Sequence, residues 1–142
     1  MTGVIVTGHG NFATGILSTL QLIVGKQEAV WGVDFLEAHS IDDLKENLSA
    51  ALSGEMDNYL ILSDLEGGSP YNTSVRLMVE RTDKNIQVLS GTNFSMLVTA
   101  VLQREGTALS ELTEEALKAG HDGIVEFKAA APRPEEPEED GI

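Results

Sequence analysis

The chain has 142 residues, 42% hydrophobic and 23% charged, with 9 Lys and Arg against 23 Asp and Glu and a formal net charge of -14. That is one domain's length with enough apolar material for a core, and its acidity disfavours nucleic-acid phosphates and anionic lipid while favouring a protein partner with a basic face. The lack of cysteine removes disulfides, thiolate zinc sites and a cysteine nucleophile and suits a reducing cytoplasm, and the sequence holds neither a run of about 20 apolar residues nor a signal-peptide start.

VIVT (4–7) is a short continuous apolar run, as expected of a strand buried on both faces. Past HGN, the stretch FATGILSTLQLIV sets Phe12, Ile16, Leu20 and Ile23 at helical spacing. AVWGVDF (29–35) reads as a second strand. SIDDLKENLSAAL (40–52) opens on Ser40 and Asp43, a capping-box variant, and puts Leu44, Leu48 and Leu52 on one stripe. YLILSD (59–64) is a third buried strand. LEGG then leads to a helix beginning SPYNTSVRLMVER, with Ser69 expected as its N-cap and Pro70 as its first residue. IQVLSG (86–91) is a fourth strand, followed by FSMLVTAVL with Phe94, Leu97, Val98, Val101 and Leu102 in a helical pattern. SELTEEALKAG (110–120) is a last helix expected to end at Gly120, and GIVEF (123–127) a short fifth strand.

The final stretch, AAAPRPEEPEEDGI (129–142), holds three of the four prolines, five acids and one arginine, which reads as a stiff, solvated linker or tail after a domain spanning 1–128. Without it the body still carries a charge of -10.

Strands alternate with helices, which argues for an α/β, doubly wound, mainly parallel sheet with helices on both faces. Ligand sites in such folds lie beyond the carboxyl ends of the strands, where strand order reverses. That rule gathers the loops TGHGN, SDLEGGSP and SGTN, and makes His9, Asp64, Ser69 and Asn93 candidate neighbours.

His9 stands between two glycines that let the backbone turn sharply and leave the ring uncovered. His39, before the Ser40 cap, and His121, after a helix end, read as structural or solvated. No H-x-x-x-H or Cys/His cluster exists, so neither a metal nor a cofactor is expected. An aspartate accepting the Nδ1 proton of an imidazole fixes its tautomer and turns the Nε2 lone pair outward as a nucleophile; Asp64 could do this for His9. Gly67, Gly68 and Ser69, running into a helix N-terminus, form a ready anion cradle. No P-loop and no G-x-S-x-G elbow is present. An imidazole nucleophile, a carboxylate that orients it and an anion cradle together suit phosphoryl transfer through a phosphohistidine, where catalysis is mainly positioning and electrostatics.

VIVTGHG at the first strand end and SDLEGGSPYN after the third, taken together, resemble the IIA domain of the mannose-family sugar phosphotransferase system (PTS) over residues 1 to 127. The resemblance implies a cytoplasmic phosphocarrier. His9 would take a phosphoryl group on Nε2 from the histidine phosphocarrier HPr and pass it to a IIB component, which phosphorylates sugar entering through membrane IIC and IID subunits. Asp64 would be the hydrogen-bonded partner of His9, and Gly67, Gly68 and Ser69 would hold the phosphoryl oxygens. It also implies a homodimer in which the last strand, GIVEF, is exchanged between subunits. Two positions depart from the family pattern: Glu66 replaces a bulky apolar residue in the D-x-x-G-G-S-P turn, and Ser95 replaces a proline in GTNFSML. Phe12, Glu66, Tyr71 and Asn93 are candidates for facing the partner.

Other readings remain beside this one. The phosphotransfer subunit of a phosphoenolpyruvate-dependent dihydroxyacetone kinase would use the same histidine, and only the partner separates the two. A receiver domain would use an aspartate placed like Asp64 but needs an acidic pair where this chain has TGHG. A non-catalytic flavodoxin-like module needs a longer Ser/Thr/Gly-rich loop at that place.

Overall fold

A computed structural model describes residues 1–130. In chain order the described residues form β1 (Gly3–His9), α1 (Phe12–Val24), β2 (Val30–Phe35), α2 (Ile41–Ala51), β3 (Asn58–Ser63), α3 (Ser69–Glu80), β4 (Asn85–Leu89), α4 (Phe94–Gln103) and α5 (Leu109–Asp122). The four strands make one parallel sheet in the order β2-β1-β3-β4.

The two apolar runs occupy the middle of the sheet for a simple reason. Side chains alternate between faces of a strand, so a strand covered on both sides must be apolar throughout. Val4, Val6, Leu60 and Leu62 enter one core layer with α1, α4 and α5, while Ile5, Tyr59 and Ile61 enter the other with α2 and α3. The doubly wound architecture expected from the alternation is the one found.

The chain steps from β1 outward to β2, then returns across β1 to lay down β3 and β4. The reversal falls between β1 and β3, so their carboxyl ends open the crevice such folds use for ligands. Buried hydroxyls knit this end of the sheet. Thr7 Oγ1 donates to Val33 O (2.8 Å), Ser63 Oγ to Leu89 O (2.7 Å) and Thr92 Oγ1 to Ser63 O (2.7 Å).

The capping box of α2 forms as expected, with Ser40 Oγ accepting from Asp43 N (3.0 Å) and Asp43 Oδ2 from Ser40 N (2.9 Å). Three expectations are corrected. Ser69 is the first residue inside α3 rather than its cap; Gly68 holds the cap position and Pro70 follows Ser69. Gly120 does not end the last helix, which runs on through Asp122. It is needed instead for close packing, because a Cβ there would lie 2.5 Å from Met96 Cγ. Finally, residues 123–127 form no strand. Leaving α5 they meet no sheet edge of their own chain, and Ile124, Val125 and Phe127 stay 75%, 83% and 91% exposed. Of the acidic, proline-rich stretch, residues 131–142 lie outside the described residues.

Candidate active site

His9 is the last residue of β1, not part of the loop beyond it. Its flanking glycines do separate jobs. A Cβ on Gly8 would lie 2.6 Å from Phe12 Cδ2, so Gly8 lets α1 start directly over the strand. Gly10 has φ +57°, the left-handed turn that carries the chain away from His9. The His9 side chain keeps 47% of its surface exposed.

Asp64 follows β3 directly, and the pairing of β1 with β3 brings it beside His9. Its Oδ2 accepts from the His9 backbone N–H at 2.9 Å and lies 2.8 Å from Nδ1 of the ring. Burial pushes the Asp64 carboxyl up, but hydrogen bonds from the His9 amide and ring, the attraction of that ring whenever it is protonated, and a weaker pull from the Leu65 amide outweigh it and hold it below the usual value. An ionised carboxylate can only accept, so Nδ1 carries the proton and Nε2 the lone pair. Among the described residues nothing hydrogen-bonds to Nε2.

The loop after Asp64 closes on the same ring. Gly67 takes φ +80°, and Asn72 Nδ2 donates to its carbonyl at 2.9 Å. Gly68 then passes so close that a Cβ on it would sit 2.7 Å from His9 Cε1. Four helices begin at this end of the sheet, and three have their first turn capped by a side chain. Asp34 accepts from Thr14 N (3.0 Å) and Thr14 Oγ1 (2.6 Å) for α1, Ser40 caps α2, and Asn93 Oδ1 accepts from Met96 N (3.1 Å) for α4. α3 has no side-chain cap. Among the described residues the Ser69 and Tyr71 amides have no acceptor, and Pro70 has no N–H. Free amides at a helix N-terminus attract an anion.

The structure therefore brings together His9, Asp64, Gly67, Gly68 and Ser69. Phe12 is half-buried and packs on the first core layer. Tyr71 is half-buried in the first turn of α3, and Glu66 is exposed in the loop before it. Asn93 is engaged structurally, since besides capping α4 it donates from Nδ2 to Gly120 O at 2.9 Å. Sequence reasoning missed Phe35, whose ring lies edge-on to His9 with centroids 6.0 Å apart and planes at 65°. It also missed Asp34. No motif marks either residue; only the register of β1 against β2, which pairs His9 with Phe35, could have shown the first.

Known proteins resemble this chain over most of its length. Residues 3–117 match the EIIA-man family model, described as the PTS system fructose IIA component. The mannose-specific EIIAB component of Escherichia coli K12 is 34% identical over 144 residues, covering 94% of this chain and 44% of that protein. The chain thus spans less than half the length of that relative. The fructose-specific EIIA component of Bacillus subtilis is 31% identical, with 79% of this chain and 77% of that protein covered. A crystal structure of the phosphotransferase system component EIIA from Streptococcus agalactiae is 44% identical, with a TM-score of 0.86 over 89% of this chain and 98% of that one. Likeness across nearly the whole of a solved IIA component, with a family model matched from β1 into α5, makes this chain a member of the EIIA-man family of phosphotransferase-system IIA components.

Proposed function

We propose that the chain is a phosphocarrier, taking a phosphoryl group from phospho-HPr on His9 Nε2 and delivering it to a IIB component that phosphorylates sugar during uptake. The observation that carries this reading is the 2.8 Å contact of His9 Nδ1 with Asp64, which leaves Nε2 as the free nitrogen of a half-exposed ring. The Nε2 lone pair attacks the phosphorus of the donor's phosphohistidine. The donor P–N bond breaks, and its electron pair stays on the donor nitrogen. His9 keeps its Nδ1 proton, and the positive charge gained by its ring is opposed by the Asp64 carboxylate. In the second half-reaction a IIB nucleophile attacks the same phosphorus, and the pair returns to Nε2. Charge on the equatorial oxygens would be met by the free amides of Ser69 and Tyr71 at the start of α3.

Residues 1–128 would form the transfer domain, and the acidic stretch beyond them a linker or tail. Transfer would take place in the cytoplasm, with membrane IIC and IID subunits reached only through IIB. Among the described residues no helix is long and apolar enough to cross a membrane. The three exposed apolar side chains of 123–127 support an exchange of that segment within a homodimer. Glu66 and Tyr71, at the edge of the cradle, would face the incoming partner. An aspartyl phosphate on Asp64 is disfavoured, because Oδ2 is tied to His9 and Oδ1 is buried. A dihydroxyacetone kinase subunit is not favoured either, since the relatives found are named for sugar systems.

Intact-protein mass after incubation with phosphoenolpyruvate, enzyme I and HPr tests the reading. One acid-labile, alkali-stable phosphoryl group is expected on wild type and none on His9→Ala. An alkali-labile group retained by His9→Ala would overturn it.

A further inference from the structure

We propose that Phe35 is a positioning residue for His9, holding the imidazole in the orientation that presents Nε2 to phosphorus. The proposal rests on His9 being the phosphoryl acceptor. Asp64 secures the ring at one atom, Nδ1. That one hydrogen bond is all that Asp64 sets against a half-turn about Cβ–Cγ, which would break it and put a carbon in place of Nδ1. Two further contacts oppose that turn. Gly68 lies against Cε1, and Phe35 lies edge-on at 6.0 Å between centroids, a favourable aromatic arrangement.

Phe35 suits the task because it is itself held. It is the last residue of β2 and half-buried, and it packs against the second core layer. It is also the register partner of His9 across the β1–β2 pair, so both side chains leave the same face of the sheet. Its carbonyl accepts from Gly10 N–H at 2.8 Å, an isolated antiparallel bridge one residue past His9. One residue thus grips the ring through its side chain and the following turn through its backbone. Phosphoryl transfer depends on alignment more than on covalent help, so a ring free to turn loses rate without losing its nucleophile.

The test compares wild type with Phe35→Leu, which keeps apolar bulk in the core, and Phe35→Tyr, which keeps the ring. Nitrogen-15 NMR of the His9 ring, taken without any partner, reads the tautomer directly. The Nδ1–H form is expected in wild type and Phe35→Tyr, and a mixture of tautomers in Phe35→Leu. With phospho-HPr as donor, Phe35→Leu should lose kcat on the order of tenfold with KM unchanged, and Phe35→Tyr should recover it. Wild-type tautomer and kcat in Phe35→Leu would overturn the proposal. So would a raised KM at unchanged kcat, which would make Phe35 a partner contact. If wild type takes no phosphoryl group, the phosphocarrier reading fails while the tautomer comparison still decides whether Phe35 holds the ring.

Discussion

Asp64 uses a single oxygen to hold both the backbone and the ring of His9. Asp64→Asn keeps the shape but weakens that acceptor and removes the charge that opposes a cationic ring. Phosphoryl uptake should slow on the order of 10²- to 10⁴-fold in this variant, as measured by rapid quench. The same residue predicts a pH effect. Its folded pKa lies below the ordinary 3.8, so its contribution to stability is complete above the unfolded value and is lost as pH falls through the folded one. Denaturant melts at about pH 7 and about pH 3 should therefore show a larger acid loss for wild type than for Asp64→Asn. Equal losses would contradict the sign. Gly68 offers a cleaner steric test, because its φ of -74° and ψ of 163° suit alanine. Gly68→Ala should melt like wild type, yet its methyl would press on His9 Cε1 and cut transfer by about tenfold or more. A wild-type rate would show that the imidazole yields. His9, Asp64 and the glycine turn were legible because each sits at a strand end, where this fold class builds its sites. The place of Phe35 beside the His9 ring was not, because it depends on register between strands, and register is not written in any local motif.

At the scale of elements, the continuous apolar runs gave β1 and β3, and alternation with helical stripes gave the layers around them. Boundaries were less legible. Pro70 suits either the first or second position of a helix, so it could not decide whether Ser69 caps α3 or begins it. Gly120 looked like a helix stop, but its cause is the neighbouring Met96, which only packing reveals. Arg104, the residue following α4, went unnoticed as one charge among many. It is 5% exposed and donates to Thr2 O at 3.3 Å, Ala29 O at 3.0 Å and Glu28 O, tying α4 to the amino ends of β1 and β2. These bonds bracket Ala29, a non-glycine residue at φ +55°. Arg104→Met should lower stability by about 2–3 kcal/mol in urea melts, because it takes the donor from three carbonyls, that of Thr2 buried and those of Glu28 and Ala29 partly so. Lysine should not rescue it, since an ammonium lacks the planar fork that reaches several acceptors. Full rescue by lysine would mean that charge alone matters there.

At the scale of the whole molecule, Ile124, Val125 and Phe127 form an apolar segment that the described residues leave uncovered. The apolar residues of 123–127 suggested a fifth strand, and the segment forms none, because pairing depends on what lies beside a segment and not only on its composition. Sedimentation of the full chain is expected to give a dimer. Phe127→Asp should shift it toward monomer, since each buried phenylalanine contributes about 1.5–3 kcal/mol. A wild-type monomer at micromolar concentration would reject the exchange. The site itself depends on a contact across the fold, for His9 and Asp64 are 55 residues apart. They meet only when β1 and β3 pair, and that pairing carries the loop-closure entropy of the central crossover. An emerging chain therefore has a histidine but no oriented nucleophile until its third strand has been made and docked. If His9 is the proposed phosphoryl acceptor, its phosphorylation would report on folding, because a copy whose β1 and β3 have not paired would be passed over by the donor.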